Sequence, residues 1–369
     1  MVWYIRFLKS PKLDQKGHVR ALITVTTDLG DDFYPADLTL HAIIVTTEYE
    51  EDWMPGWQTV KWKSGMRTLW IDIVNLDAGP SVDLRLVVSS EQSRQGNTLL
   101  LDNIFEILSV WSDTFDWEKS QASNVVERRY RTDSGHERAV LEETGENATR
   151  DAGIALTAFL STLVLQPRPT SDLAKLLQRT TPRGLRILEL GSGCGLVGLQ
   201  VADLYSTSDV LLTDLPEAMD VLNHNVEHAR FVSNRGKIAT AVLNWDEPLP
   251  ERVAKQRLDL VIVSDCTYNP DSIPGLVKTL SSIAINSPNA SVVVSMKVRH
   301  DSEAIFFELM VGAEFAEAEH TAIPLPDRYR SETGQELEVV EVYMYRSRKS
   351  AQDGWNAGSK TQVITHDQS

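Results

Sequence analysis

The segment Arg186-Ile187-Leu188-Glu189-Leu190-Gly191-Ser192-Gly193-Cys194-Gly195 runs an apolar, buried-type strand into three alternating glycines and then an apolar helix. Glycine is required where backbone must approach a ligand closely or take positive φ, and the end of such a strand opens at the crevice where α/β sheets bind ligands. A nicotinamide dinucleotide site would space its glycines G-x-G-x-x-G, whereas here Leu196 stands three beyond Gly193 and the third glycine falls one residue earlier. The acid Glu189, two positions before the first glycine, suits a ligand that carries an ammonium group and no pyrophosphate. That is the chemistry of the methionyl end of S-adenosylmethionine; a glycine turn built only for packing is the competing reading.

Three further strand ends carry polar groups. Asp214 follows Val210-Leu211-Leu212-Thr213, where a carboxylate can accept from two ribose hydroxyls, although a lone Asp after a strand also serves as a helix cap. Asn244-Trp245-Asp246 closes the next strand with a ring that could cover an adenine, or simply pack. Leu260-Val261-Ile262-Val263-Ser264 then runs into Asp265-Cys266-Thr267-Tyr268-Asn269-Pro270, at the strand end that faces a transferable methyl group. Enzymes that methylate nucleic-acid amines carry Asn or Asp, two prolines and an aromatic there, and neither proline is present. A carboxylate that can orient an amine and a phenol ring that can wall a channel or face a cation stand instead.

These residues need a scaffold in which strand and helix alternate. Strands are predicted at Leu185–Leu190, Val210–Thr213, Ile238–Leu243, Leu258–Ser264 and Ser291–Lys297, with helices at Gly195–Leu204, Glu217–His228, Ser272–Ile285 and Ser302–Val311. The final strands, Ala316–Ile323 and Leu337–Tyr345, follow one another with no helix between, which predicts an antiparallel closing edge. The fold class expected is α/β, a seven-strand Rossmann-like sheet that is mostly parallel with an antiparallel last strand.

Ahead of it, short β-branched and aromatic runs (Ala21–Thr27, Leu38–Thr46, Thr68–Val74, Leu84–Val88) predict a β-rich N-terminal domain over residues 1–95. Trp53, Trp57, Trp62 and Trp70 fall within it and are expected to pack in the core or at an edge. Leu99, Ile104, Ile107, Leu108 and Trp111 follow a helical period, which predicts a connecting helical segment over 96–124. Val125–Arg131 and Glu137–Leu141 flank Asp133-Ser134-Gly135 as a hairpin that opens a second domain, 125–346, and the polar, periodless stretch 347–369 reads as a disordered tail.

From about Arg128 to Tyr345 the chain resembles the family 16 lysine methyltransferases, seven-strand enzymes that modify translation elongation factors and chaperones, with the fungal elongation-factor enzymes most alike. The family's Asp-x-x-Tyr signature stands here as Asp265-Cys266-Thr267-Tyr268 and its glycine loop as Glu189 to Gly195. The resemblance implies cofactor contacts from Gly191, Gly193, Gly195, Asp214, Trp245 and Ser264, beside Glu189. It also implies an acceptor lysine on another protein, with an elongation factor as the candidate. The upstream segment Thr149-Arg150-Asp151-Ala152-Gly153 matches the family except that Arg150 stands where Trp is usual.

Fifty-two acidic against 36 basic residues leave a formal charge of −16, a field that repels a phosphate backbone and makes nucleic acid an unfavourable partner. Cys194 and Cys266 are too few for a disulfide framework and lack zinc-site spacing, so no metal is expected. No apolar run approaches the roughly 20 residues of a membrane span. The expectation is a cytoplasmic, also nuclear, monomer that uses S-adenosylmethionine to methylate a protein lysine, with Asp265 and Tyr268 as catalytic residues. Two rivals stand beside it: an N-methyltransferase of a small, nicotinamide-like amine, and a scaffold protein that keeps the fold without activity.

Overall fold

Apolar and polar residues alternating along β-branched and aromatic runs fold the first part of the chain into strands with one side turned inward. In the computed structural model, which describes residues 1–46, 54–79, 82–91, 97–98, 106–131, 137–143, 148–166, 170–179, 183–205, 207–229, 237–298 and 304–348, these strands come first. They are β1 (Trp3–Leu13), β2 (Val19–Thr26), β3 (Leu38–Thr46), β4 (Gly56–Trp62), β5 (Leu69–Ile73), β6 (Leu84–Ser90), β7 (Asn97–Thr98), β8 (Ile107–Leu108), β9 (Val110–Ser112), β10 (Val125–Arg131) and β11 (Glu137–Glu143). One sheet has the order β5-β2-β1-β8 and a second β11-β10-β9-β6-β3-β4, with β7 beside β10. Ile5, Ile23, Leu40, Ile44, Trp62 and Leu86 meet in one apolar core.

The rest alternates helix and strand: α1 (Asp151–Leu165), α2 (Asp172–Leu177), β12 (Arg186–Leu190), α3 (Leu196–Leu204), β13 (Asp209–Asp214), α4 (Met219–His228), β14 (Lys237–Val242), α5 (Glu251–Ala254), β15 (Leu260–Ser264), α6 (Ile273–Asn286), β16 (Ser291–Met296), α7 (Ala304–Gly312), β17 (Phe315–Pro324), α8 (Arg328–Thr333) and β18 (Val339–Ser347). The third sheet has the order β14-β13-β12-β15-β16-β18-β17. Its first five strands are parallel, and β18 runs antiparallel to both neighbours. This is the expected seven-strand architecture. One face is covered by α1 and α3 and the other by α6 and α7, each through its own apolar cluster.

Three readings are corrected. The helical period near residue 107 belongs to two strands: β8 pairs with β1 in the first sheet and β9 with β6 in the second, so Ile107, Leu108, Val110 and Trp111 are all buried. Apolar residues buried in strands of adjoining sheets imitate a helical stripe. Residues 99–105 of that expected segment lie outside the described residues, as do the turn 132–136 and the expected tail beyond residue 348, while Ser347 still belongs to the last strand. The hairpin β10–β11 forms, but β10 also pairs with β9, so a boundary at residue 125 would cut the second sheet. The six-residue α8 lies between the last two strands, capped by Asp327 and ended by Gly334 in the left-handed region. The tryptophans divide between core and edge, as expected: Trp62 is fully buried, whereas Trp57 and Trp70 stand on the edge strands β4 and β5, 66% and 46% exposed, with Lys9 and Arg20 over the Trp70 ring; Trp53 is outside the described residues.

Helix α1 was not predicted at all. Its residues from Ala152 to Leu163 are buried on nearly every side, between the third sheet and Tyr4, Tyr130 and Val140 of the N-terminal strands, so it shows no amphipathic stripe. Among the described residues no helix is long and apolar enough to cross a membrane.

Candidate active site

The strand order reverses at β12, whose neighbours are β13 on one side and β15 on the other. Register pairs Leu190 with Thr213 and with Val263, which brings Gly191, Asp214 and Ser264 to one edge of the sheet, at its carboxyl end. A cavity of 510 Å³ opens there, on the scale of a small-molecule cofactor site. Its lining includes Glu189, Gly191, Gly193, Asp214, Trp245, Ser264, Asp265 and Tyr268. Gly195 is the exception among the predicted residues. It takes φ 82° at the N-terminus of α3, and a Cβ there would stand 2.7 Å from Leu222 and 3.3 Å from Leu212, so its smallness serves packing of the helix on β13.

The glycine loop is shaped from below. Gly191 has φ 65°, and a Cβ added to it would lie 2.5 Å from Cys266 Sγ and 3.2 Å from the Trp245 ring, both of which line the cavity. Gly193 donates its N–H to Asp214 Oδ2 at 2.7 Å, and Leu215 N–H reaches Oδ1 at 2.7 Å. Asp214 is therefore oriented by backbone, while burial holds its carboxyl above the usual range. Each of its oxygens keeps further acceptor capacity for a hydroxyl. Cys266 was not singled out by sequence reasoning; only its packing beneath the loop reveals its role.

Glu189 is 1% exposed and accepts the Gly198 N–H at 3.1 Å. Burial pushes its pKa up to about 8, with the hydrogen bonds of Ser192 and Gly198 opposing and the charge of Asp214 adding. A carboxyl whose folded pKa is raised favours the folded state below its unfolded value and loses that contribution as pH rises through the folded one. Stability of the cofactor-free protein is therefore expected to fall between roughly pH 4.5 and pH 8, and Glu189→Gln should flatten that segment of the profile. Denaturant midpoints across this range check it; a slope unchanged by the substitution would assign the dependence elsewhere.

At the other end, β15 delivers Ser264, whose Oγ accepts from Ser295 Oγ at 3.0 Å. Asp265 follows with φ 53° and donates its N–H to Ser295 O at 2.9 Å. A non-glycine residue in that region is uncommon and here turns the chain off the strand into the cavity wall. The carboxylate is buried, with Arg150 Nε 3.9 Å from Oδ2, and Tyr268, 48% exposed, stands under the Arg150 guanidinium at 5.1 Å from its ring centre. The two residues expected to be catalytic thus share one end of the cavity, and Arg150 meets both.

Arg150 is placed by a buried charge network that sequence reasoning missed. Asp151, fully buried at the start of α1, accepts the Tyr4 hydroxyl at 2.9 Å and pairs with Lys297 Nζ at 2.9 Å, and its N–H reaches Asp28 at 3.3 Å. Lys297 also pairs with Glu338. The network ties the N-terminal strands and the end of β16 to the residue that follows Arg150, and nothing in the local sequence announces contacts over such distances.

Residues 137–313 match the lysine methyltransferase family. A UPF0665 family protein of Schizosaccharomyces pombe is 25% identical over 321 residues, which cover 84% of this chain and 93% of that protein. EEF1A lysine methyltransferase 3 of Mus musculus is 31% identical over 168 residues, 45% of this chain and 62% of the mouse protein. Protein-lysine N-methyltransferase EFM6 of Saccharomyces cerevisiae is 33% identical over 136 residues, 33% of this chain and 53% of the yeast protein.

Proposed function

From the membership of residues 137–313 in the lysine methyltransferase family, we propose that this enzyme methylates a lysine side chain of a translation elongation factor, with S-adenosylmethionine as donor. The observation that carries the reading is the convergence of four strand ends on one cavity. Asp214 and Trp245 flank the glycine loop at one end, and Asp265 and Tyr268 stand beside Ser264 at the other. The elongation factor as acceptor is supported by the likeness to the mouse enzyme named for EEF1A.

The residues present fit S-adenosylmethionine. Gly191 lets the loop close down on Cys266 and Trp245 where a Cβ would clash, so that its backbone borders the cavity; Asp214 offers acceptors for ribose hydroxyls, and Trp245 offers a face for a base. When bound, the cofactor supplies an activated methyl group on a sulfonium, and transfer to an amine is an in-line displacement in which alignment and exclusion of water dominate. The lysine enters as an ammonium and must lose its proton before it attacks, and partial desolvation in the cavity lowers its pKa. Asp265 orients the amine, and the Tyr268 ring walls the channel that leads it in.

Loss of a charged hydrogen-bond partner of the amine is worth about 1.5–3 kcal/mol, so Asp265→Ala should lower kcat roughly 30-fold with the cofactor dissociation constant unchanged. Incubating the enzyme with methyl-labelled cofactor in a lysate should label one protein band, at a lysine, with Asp265→Ala as the control. Label confined to small metabolites would favour the small-amine reading. Two buried thiols, Cys194 and Cys266, suit a reducing compartment, and we place the reaction in the cytoplasm.

A further inference from the structure

Arg150 occupies an odd position for its chemistry. It is the residue that caps the N-terminus of the 15-residue helix α1, where an arginine has no acceptor to offer the free N–H groups and its charge opposes the helix dipole; no side-chain capping bond forms. Its guanidinium turns into the cavity, over the Tyr268 ring and against Asp265. A residue that breaks a local rule at a site points to a role in the site.

The aromatic face and the carboxylate are the two groups that would receive an acceptor lysine, and a cation already stands on both. We infer that Arg150 is an internal cation which the incoming lysine must displace, so that it keeps simple amines out and admits only a lysine whose own protein supplies additional contacts. This rests on the function proposed above. Two cations cannot share the space between Tyr268 and Asp265 without repulsion. Displacement is feasible because the ion pair is loose, at 3.9 Å, and the Arg150 side chain lines the open cavity.

The test uses the full chain as wild type, Arg150→Ala, Arg150→Met, which keeps the aliphatic stem, and Arg150→Lys, which keeps the charge. Binding of methylguanidinium and of N-acetyl-lysine methylamide is followed by saturation-transfer NMR, and binding of S-adenosylhomocysteine by calorimetry. Arg150→Ala and Arg150→Met should bind both small cations at least tenfold more tightly than wild type and Arg150→Lys, with S-adenosylhomocysteine affinity within twofold. Both should methylate N-acetyl-lysine methylamide at least tenfold faster than wild type, and methylguanidinium should inhibit them competitively while sparing wild type. Adding Tyr268→Ala to Arg150→Ala should abolish the gain in cation binding. Equal cation binding in wild type and Arg150→Ala overturns the inference, as does a tenfold loss of S-adenosylhomocysteine affinity, which would make Arg150 a cofactor ligand. Failure of wild type itself to bind S-adenosylhomocysteine would sink the proposed function, while the cation arms still report on Arg150.

Discussion

Gly191→Ala is expected to lower cofactor affinity about 100-fold and to destabilise the protein as well. The left-handed φ of 65° costs a residue with a Cβ about 1–2 kcal/mol. The added methyl also lies 2.5 Å from Cys266 Sγ and 3.2 Å from the Trp245 ring, and overpacking of that kind costs about 1–3 kcal/mol. Relief can come only by moving Cys266 or the indole, both of which line the cavity, or by shifting the loop itself. The loss of stability follows from the strain, and the loss of affinity follows from the displaced wall. Calorimetric titration with S-adenosylhomocysteine and thermal melts measure the two separately. Cys266→Ala in the same chain removes the closest contact and should recover part of the affinity without recovering the backbone cost. Unchanged affinity in Gly191→Ala would mean that the loop does not cradle the cofactor.

The largest effect on stability is expected from Lys297→Met. Burial disfavours the Lys297 ammonium, but the carboxylates of Asp151, Asp28 and Glu338 more than offset this and hold its pKa above the ordinary lysine value. Removing that charge leaves Asp151, which is fully buried, facing Asp28 without the ammonium that pairs with it. Breaking a buried pair by deleting one partner costs about 3–5 kcal/mol, a large part of the roughly 5–15 kcal/mol that holds a domain folded.

The penalty should depend on pH, with a definite sign. Burial and Asp28 push the Asp151 carboxyl up even with Lys297 present, and without Lys297 it rises further. A raised carboxyl pKa favours folding at low pH and loses that contribution as pH climbs. The deficit of Lys297→Met should therefore be smaller at pH 5 than at pH 8. Asp151→Asn in the Lys297→Met background should recover part of the loss at pH 8, because a neutral amide no longer needs a counter-charge. Denaturant unfolding of both variants at the two pH values decides the matter; a deficit independent of pH would assign the cost to packing. Because Asp151 follows Arg150 directly, the network also anchors the start of α1 against Tyr4 of β1.

Local pattern alone determined much of this protein. An apolar strand, three alternating glycines and an apolar helix can form little except a β-turn-α ligand loop, and strand ends carrying Asp214, Trp245 and Asp265 follow at the spacing of a parallel sheet. Those features are legible because glycine, strand period and helix period act over a few residues. Tertiary structure decided the rest. It set Gly195 against Leu222 instead of the cavity, put Cys266 beneath Gly191, split the stretch around residue 107 between two sheets, and hid α1 inside a core that leaves no amphipathic trace. It also joined Tyr4, Asp28, Asp151, Lys297 and Glu338 across more than 300 positions. Contacts of that range depend on how the sheets stack, and stacking is settled by the whole folded chain, whereas a turn or a strand is settled by its own few residues.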